Sequence, residues 1–117
     1  MLGDHSLGVA VLLEREAGPI GYFVLTWGYD LEWNGRDAFL TELFLVPTAR
    51  GNGLGAAAMG MVEEVAREHG ARALHLMVRE ENTAARRLYA RQGYTSPARI
   101  FLSKDLRMAV ESPRKVS

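Results

Sequence analysis

The fold is decided by residues 38 to 70, where the hydrophobic pattern changes its period. They read AFLTELFLVPTARGNGLGAAAMGMVEEVAREHG. From Ala38 to Val46 the chain is apolar in the manner of a strand, and Pro47 ends it. After the glycines, apolar residues recur every three or four positions with acidic and basic residues opposite, until Gly70 stops the pattern. The stretch therefore predicts a β-strand, a glycine-rich turn and an amphipathic α-helix.

Two more strands are predicted before this stretch. Residues 8 to 14 and 20 to 27 are short apolar runs separated by Gly18-Pro19. Residues 29 to 37 are polar and contain Asn34-Gly35, a pair that accepts the positive φ of a tight turn. We expect three successive antiparallel strands, which form a meander.

The residues after the helix predict a crossover unit. Residues 72 to 79 alternate as a strand does, Asn82 suits the N-cap of a second helix over residues 83 to 92, and Gly93 ends that helix. Residues 94 and 100–102 indicate further edge-strand structure. A strand, helix and strand in this order imply a crossover unit. The expected fold class is α/β with a mixed (α+β) sheet, in which antiparallel strands precede a β-α-β-α unit.

Length and composition predict one domain over residues 1–117, with a frayed polar tail from about residue 109. The chain has 117 residues, of which 48% are hydrophobic, and its 14 basic residues balance its 14 acidic ones. Such a balance gives no global field toward nucleic acid or an anionic membrane, and neither partner is expected. The N-terminus does not resemble a signal peptide, and no apolar run approaches the roughly 20 residues of a membrane span. We expect a cytoplasmic protein.

Metal and thiol chemistry are not expected from the residue types. The sequence contains no cysteine, which excludes disulfides, cysteine-ligated zinc and thiol nucleophiles. Its three histidines, His5, His69 and His75, have no ligand-like spacing. We therefore predict no metal site.

The segment from Arg50 to Gly55 predicts an anion site. A strand that turns through glycines into a helix presents unpaired N–H groups, and glycine lets a phosphate approach them. The alternative is an ordinary flexible turn. A nucleotide P-loop is disfavoured because no Lys-Ser/Thr pair follows Gly55. The dinucleotide fingerprint matches formally as Gly51-x-Gly53-x-x-Ala56, but residues 71 to 73 are not acidic as that site requires.

The pattern Arg50-x-x-Gly53-x-Gly55 resembles the Arg/Gln-x-x-Gly-x-Gly/Ala signature of GNAT N-acetyltransferases. Residues 78 to 94, VREENTAARRLYARQGY, are similar to that family's strand, asparagine, helix and tyrosine. The resemblance covers residues 8 to about 106. Members usually begin with a strand and two helices on the acceptor side, which are apparently missing here, so the sequence resembles an N-terminally short member.

The resemblance implies acetyl-CoA as cosubstrate and a primary amine of a small molecule or peptide as acceptor. It implies that Tyr89 contacts the cofactor and is the general acid for the leaving thiolate, although a core tyrosine is the alternative. Asn82 corresponds to a contact with the cofactor arm, although helix capping explains it too. The cofactor-binding residues it implies, by backbone to the pantetheine arm or at the phosphates, are Phe44, Leu45, Val46, Arg50, Gly51, Asn52, Gly53, Leu54 and Gly55.

The acceptor side is the least determined by sequence. Glu42 is the candidate general base, because it faces the cleft if Leu43 and Leu45 face the core; an exposed strand glutamate is the alternative. Trp27, Tyr29 and Trp33 either line an acceptor pocket or belong to the core or a dimer surface. We expect a homodimer that uses the first two strands and this aromatic loop. A non-catalytic acyl-CoA-binding module is the rival function, and a nucleotide-binding domain is a weaker one.

Overall fold

The four strands form one sheet in the order in which they occur in the chain. The computed structural model describes residues 7–30, 35–51, 53–97 and 99–107. The strands are β1 (Gly8–Arg15), β2 (Gly18–Asp30), β3 (Gly35–Leu45) and β4 (Ala73–Leu76). The predicted tail from about residue 109, and the residues Trp33 and Asn52, lie outside the described residues.

The antiparallel meander and the parallel crossover are both confirmed. β1 pairs with β2 and β2 with β3 in antiparallel fashion, whereas β3 pairs with β4 in parallel. β2 and β3 are longer than predicted, since their pairing continues to Asp30 and Gly35. The polar residues there join the ladder because backbone hydrogen bonds do not depend on apolar side chains.

Helix α1 (Leu54–Glu68) connects β3 to β4, and helix α2 (Thr83–Arg91) follows β4. A 3-10 turn (Pro47–Ala49) precedes α1. Gly70 and Gly93 follow the two helices with φ of 84° and 93°, in the left-handed region that favours glycine, as the sequence predicts. The helix boundaries agree with the predicted ones to within a residue or two.

The core lies between α1 and one face of the sheet, which we call the core face. Its buried members come from both layers and include Val9, Leu13, Phe23, Leu25, Ala38, Ala58, Met59, Val62 and Ala66. No described helix covers the opposite face, which we call the open face. Leu12, Phe39 and Phe44 are exposed there. The domain therefore buries one side of its sheet and presents the other.

A β-bulge at Thr41 changes which side chains of β3 face the core. Glu42 pairs with Val24 and Leu40 with Leu25, so Thr41 is an extra residue on β3. Its hydroxyl donates a hydrogen bond to the Val24 carbonyl at 3.1 Å. Because strand side chains alternate, the extra residue changes the phase. The core-face residues of β3 are therefore Ala38 and Leu40 before the bulge and Leu43 and Leu45 after it.

β3 and β4 stop pairing just before the bulge. Their last paired residues are Leu40 and Leu76, although β3 continues to Leu45. The chain after Leu76 has no strand partner through residue 79. We call the space between residues 41–45 and 77–79 the split. Its closed end is the Leu40–Leu76 pair, and its open end lies at the turn into α1.

The predicted edge strand near the C-terminal end is wrong for the described residues. Residues 94–97 and 99–107 contain no strand. Ile100, Phe101 and Leu102 are 87%, 78% and 87% exposed. An apolar run becomes a strand only when a neighbour pairs with its backbone, and no described strand pairs with the outer edge of β4. The local pattern was therefore not sufficient.

Candidate active site

The first turn of α1 forms a cradle of backbone amides. Gly53 is its N-cap at φ 76°, no side chain caps the helix, and no acidic residue lies in the first turn. The first N–H groups of a helix have no intrahelical acceptor and carry its positive dipole end. A β-carbon on Gly51 or Gly53 would have no neighbouring atom within 4 Å, so the space before the amides is open. This cradle suits an anion such as a phosphate.

Arg50 lies between the cradle and the end of β3. Its Nε donates to the Leu45 carbonyl at 2.9 Å, and its guanidinium carbon lies 5.6 Å from the centre of the Phe44 ring. The side chain is exposed and charged at the mouth of the cradle. Arg50 therefore combines a contact to the strand with a positive charge beside the predicted phosphate site.

The backbone of β3 directs alternate residues toward the split. The Val46 N–H donates to the Ile20 carbonyl at 2.8 Å, toward β2. Hydrogen-bonded residues alternate in an antiparallel pair, so the N–H and C=O groups of Leu45 and Leu43 point away from β2. Of the three strand residues that the resemblance implies, Leu45 faces the split by its backbone. Leu43 was not predicted from the sequence, since only the register identifies it.

Helix α2 lies against the first turns of α1. A β-carbon on Gly55 would lie 3.7 Å from Leu88 Cδ2, and the Gln92 Nε2 donates to the Ala56 carbonyl at 3.3 Å. This packing brings α2 close to the start of α1, although a β-carbon at Gly55 would be in ordinary contact distance of Leu88. It also fixes the position of Tyr89, one residue after Leu88, beside the cradle helix.

Tyr89 is half-buried against the core. Its ring makes an edge contact with Tyr94 at a centroid distance of 5.8 Å. Burial raises the pKa of Tyr89, so the phenol keeps its proton at neutral pH. Its hydroxyl makes no hydrogen bond to a described residue. The group therefore combines the packing of a core tyrosine with an available proton.

Asn82 caps α2. Its Oδ1 accepts a hydrogen bond from the Ala85 N–H at 3.1 Å, as the sequence predicts for an N-cap. The carbonyl oxygen of this side chain is thus engaged within the helix. Helix capping alone accounts for an asparagine at this position.

Glu42 lies on the open face and is hydrogen-bonded to Tyr22. The Tyr22 hydroxyl donates to Glu42 Oε1 at 2.5 Å, and its ring lies 5.8 Å from that of Phe44. The hydrogen bond to the carboxylate, followed by burial, raises the pKa of Tyr22. Leu43 and Leu45 do pack toward the core, which puts Glu42 on the opposite side of β3. The result is an exposed carboxylate framed by two aromatic rings.

The predicted aromatic cluster is divided by the fold. Trp27 packs against the core, its ring stacked on His69 at 5.0 Å and lying 5.4 Å from the Arg36 guanidinium carbon. It therefore lies on the opposite side of the sheet from Glu42. Tyr29 is exposed. Of the two alternatives for Trp27, the structure agrees with the core.

A pair that the sequence analysis did not single out lies on the open face. His75 Nε2 is 3.0 Å from Asp37 Oδ2, and the Phe39 ring lies 4.9 Å from the imidazole. Asp37 and His75 are 38 positions apart and meet only because β3 and β4 run parallel in this register. No local sequence signal could have joined them.

No metal-binding cluster of three or more suitable side chains occurs among the described residues. None of the helices over that part of the chain is long and apolar enough to cross a membrane.

The candidate site is composed of the α1 cradle, the split and the open-face side chains beside the closed end of the split.

Comparison with protein families identifies one match. The family model described as the acetyltransferase (GNAT) family matches residues 2–94. Among solved structures, an integron cassette protein from the mobile metagenome of Cole Harbour Salt Marsh superposes with a TM-score of 0.75 at 34% identity, covering 90% of this chain and 64% of that one. The match extends over nearly all of the fold described above.

Two curated relatives carry acetyltransferase names. An uncharacterized N-acetyltransferase of Mycobacterium bovis is 38% identical over 86 residues, which are 73% of this chain and 52% of the relative. A thialysine N-epsilon-acetyltransferase of Bos taurus is 35% identical over 78 residues, 65% of this chain and 45% of the relative. The chain thus spans about half the length of the curated relatives it matches.

Proposed function

The chain belongs to the acetyltransferase (GNAT) family, and on that premise we propose that it transfers an acetyl group from acetyl-CoA to a primary amine of a small molecule or peptide. One observation carries the proposal: the uncapped, glycine-lined start of α1 opens at the end of the split. The cradle would hold the pyrophosphate, and the split would admit the pantetheine arm. Membership of the family supports acyl transfer; the cosubstrate and acceptor are our proposal.

The residues from Arg50 to Gly55 hold the phosphates. The amides of the first turn of α1 donate to the phosphate oxygens, and the guanidinium of Arg50 adds charge-assisted hydrogen bonds. Gly51 and Gly53 fit this role because their open, left-handed conformations keep β-carbons out of the space. Asn52 and Leu54 belong to the same segment.

The backbone of β3 binds the pantetheine arm and activates the thioester. The backbone groups of Leu43 and the N–H of Leu45 pair with the amides of the arm as an added strand would, while the Leu45 carbonyl accepts from Arg50. An N–H of this edge donates to the thioester carbonyl, whose oxygen gains charge as the amine attacks. Phe44 and Val46 contribute mainly by flanking these groups. Phe44 pairs with Tyr22 across the ladder, the Val46 N–H donates to the Ile20 carbonyl of β2, and the Val46 carbonyl accepts from the Ala49 N–H.

Tyr89 completes the transfer at the sulfur. As the amine nitrogen forms a bond to the carbonyl carbon, the carbon–sulfur bond breaks and the Tyr89 hydroxyl donates its proton to the thiolate. Its raised pKa keeps that proton available at neutral pH. Asn82 acts through α2, whose first turn it caps, and so supports the position of Tyr89.

The open face receives the acceptor. Glu42 presents a carboxylate there and attracts the ammonium form of the amine, with Tyr22 and Phe44 beside it. Glu42 is also a candidate for the base that removes the amine proton. We further propose a homodimer that covers part of the open face through β1, β2 and the loop that follows β2. A cytoplasmic location stays a prediction.

Two measurements test the proposed function. Isothermal titration with acetyl-CoA, ATP and NAD tests the cradle, and only acetyl-CoA is expected to bind tightly. Mass spectrometry of products then follows acetyl transfer to thialysine, an aminoglycoside and a peptide with an N-terminal alanine. Acetyl-CoA binding without transfer to any amine would favour a non-catalytic acyl-CoA-binding module. Binding of NAD or ATP alone would refute the proposal.

Light scattering at micromolar concentration tests the dimer. The exposed Leu12 on β1 is a suitable position for disruption. The substitution Leu12→Glu is expected to give a folded monomer, because the side chain is exposed and not part of the core. A wild type that scatters as a monomer would contradict the dimer.

A further inference from the structure

The Asp37–His75 pair has the geometry of a carboxylate that orients an imidazole. Asp37 Oδ2 lies 3.0 Å from His75 Nε2. A carboxylate can only accept, so the neutral imidazole carries its proton on Nε2 and leaves Nδ1 as a lone-pair acceptor. The Phe39 ring, 4.9 Å away, limits the rotation of the imidazole. His75 is therefore held with one nitrogen available.

The burial of Asp37 lowers the stability of the fold. Asp37 is only 3% exposed, and its Oδ1 has no hydrogen-bond partner among the described residues. An unsatisfied buried carboxylate oxygen is destabilising, so folding alone does not explain it. Gly28 on the facing strand leaves room for the Asp37 carboxylate, because it has no β-carbon. A β-carbon at this position would come within 2.6 Å of Oδ1. Gly28 and Asp37 are direct partners across the ladder.

The pair lies beside the closed end of the split. His75 is cross-strand from Phe39, one residue before the Leu40–Leu76 pair at which β3 and β4 separate. An arm that enters the split from the α1 cradle ends at this pair. His75 is also partly accessible, with 34% of its side chain exposed on the open face. It therefore borders the place where the thioester and the acceptor meet.

We propose that His75, oriented by Asp37, accepts the proton of the amine during acetyl transfer, through one bridging water. The amine loses a proton to the water, the water passes a proton to Nδ1, and the freed lone pair forms the carbon–nitrogen bond. The carbon–sulfur bond breaks and Tyr89 protonates the thiolate. The nitrogen gives up its second proton to solvent as the amide forms, the Tyr89 phenolate regains a proton from solvent, and the imidazolium releases its own proton to solvent. This inference rests on the proposed function. Asp37 is a positioning residue.

His75 is better suited to this role than Glu42. The imidazole of His75 is oriented by Asp37 with Nδ1 left as an acceptor, whereas the Glu42 carboxylate is exposed and already accepts the Tyr22 hydroxyl. Glu42 is left to attract the ammonium group. The charged group in contact with His75 is Asp37. Glu42 lies on the same face of the sheet, and the pocket that His75 helps to line also contains Glu63, Arg67, Arg72 and Arg99.

The test compares His75→Gln, Asp37→Asn and Glu42→Gln with the wild type and with His69→Gln. His69 is the matched control, because its Nδ1 lies 2.9 Å from the Val65 carbonyl at the end of α1 on the core face. The probe is whichever of thialysine, the aminoglycoside and the alanine peptide the wild type acetylates. For each protein, kcat/KM is measured from pH 6.5 to 9.5, and acetyl-CoA affinity is measured by titration.

At pH 7, His75→Gln is expected to lower kcat/KM about 100-fold, within the usual range for a general base, with acetyl-CoA affinity unchanged. The difference in kcat/KM between this variant and the wild type should narrow toward pH 9.5. An amine with a pKa of about 10 has a larger unprotonated fraction at that pH and needs the base less. Asp37→Asn should lower kcat/KM too, since an amide can invert the imidazole tautomer. Glu42→Gln should mainly raise KM.

The outcomes separate this inference from the proposed function. A wild type that acetylates none of the three amines overturns both. An active wild type whose His75→Gln variant keeps the same pH profile overturns only the role of His75. A loss of kcat/KM in His75→Gln that is equal at every pH shows a structural effect and refutes the role of His75. The same conclusion follows if His69→Gln loses as much kcat/KM.

Discussion

Replacement of Gly53 by alanine should weaken acetyl-CoA binding as well as lower the stability of the fold. Gly53 has φ 76°, where a β-carbon costs about 1–2 kcal/mol of folding free energy. The same carbon enters the open space before the α1 amides, where no protein atom lies within 4 Å. It displaces a phosphate oxygen rather than a neighbouring residue. Loss of one charge-assisted hydrogen bond, worth about 1.5–3 kcal/mol, corresponds to a roughly 10- to 100-fold rise in Kd.

Gly60→Ala is the matched control, since it makes the same chemical change in the interior of α1. No atom lies within 4 Å of a β-carbon there, and the backbone is helical. It should raise the unfolding free energy by about 0.5–1 kcal/mol and leave Kd unchanged. Urea denaturation and calorimetric titration measure the two quantities. A folded Gly53→Ala protein with a Kd within twofold of the wild type would refute the phosphate cradle.

Three other substitutions examine the remaining groups. Tyr89→Phe should lower kcat at least tenfold with acetyl-CoA affinity retained, and wild-type turnover would leave Tyr89 a core residue only. Asn82→Ala should cost about 1 kcal/mol of stability with little change in Kd, while a large loss of affinity would indicate direct contact with the cosubstrate. Burial, with the hydrogen bond to Glu63, raises the pKa of Tyr94 strongly, so the unfolded phenol ionises first. Unfolding free energy should therefore fall as pH rises above about 10, less steeply in Tyr94→Phe.

The local elements of the fold could be predicted because each has a signal within a few residues. The period change after Val46, the glycines at 70 and 93, and the cap at Asn82 depend on neighbouring residues alone. Such signals can be recognised without knowing which distant segments pair or pack with the element. The order of the elements then limited the topology to a meander and a crossover.

The site needed information that no local pattern carries. Leu43 is identified as a split-facing residue by the hydrogen bond from Val46 to Ile20, which lies across the ladder. Asp37 and His75 meet through a parallel register that the sequence does not state. The apolar run at Ile100 indicated a strand, but it is exposed and pairs with no strand among the described residues. Pairing between distant segments is thus the part that sequence reasoning omitted.

The bulge at Thr41 makes this position of β3 tolerant of a change in length. A substitution at this exposed position changes one side chain, and deletion of its codon would restore a regular ladder in which Leu40 still pairs with Leu25 and Glu42 with Val24. Glu42 and Phe44 would stay on the open face and Leu43 and Leu45 on the core face, because each keeps its partner on β2. Random libraries without and with indels should therefore agree about Thr41, which would be replaceable in the first and dispensable for folding in the second.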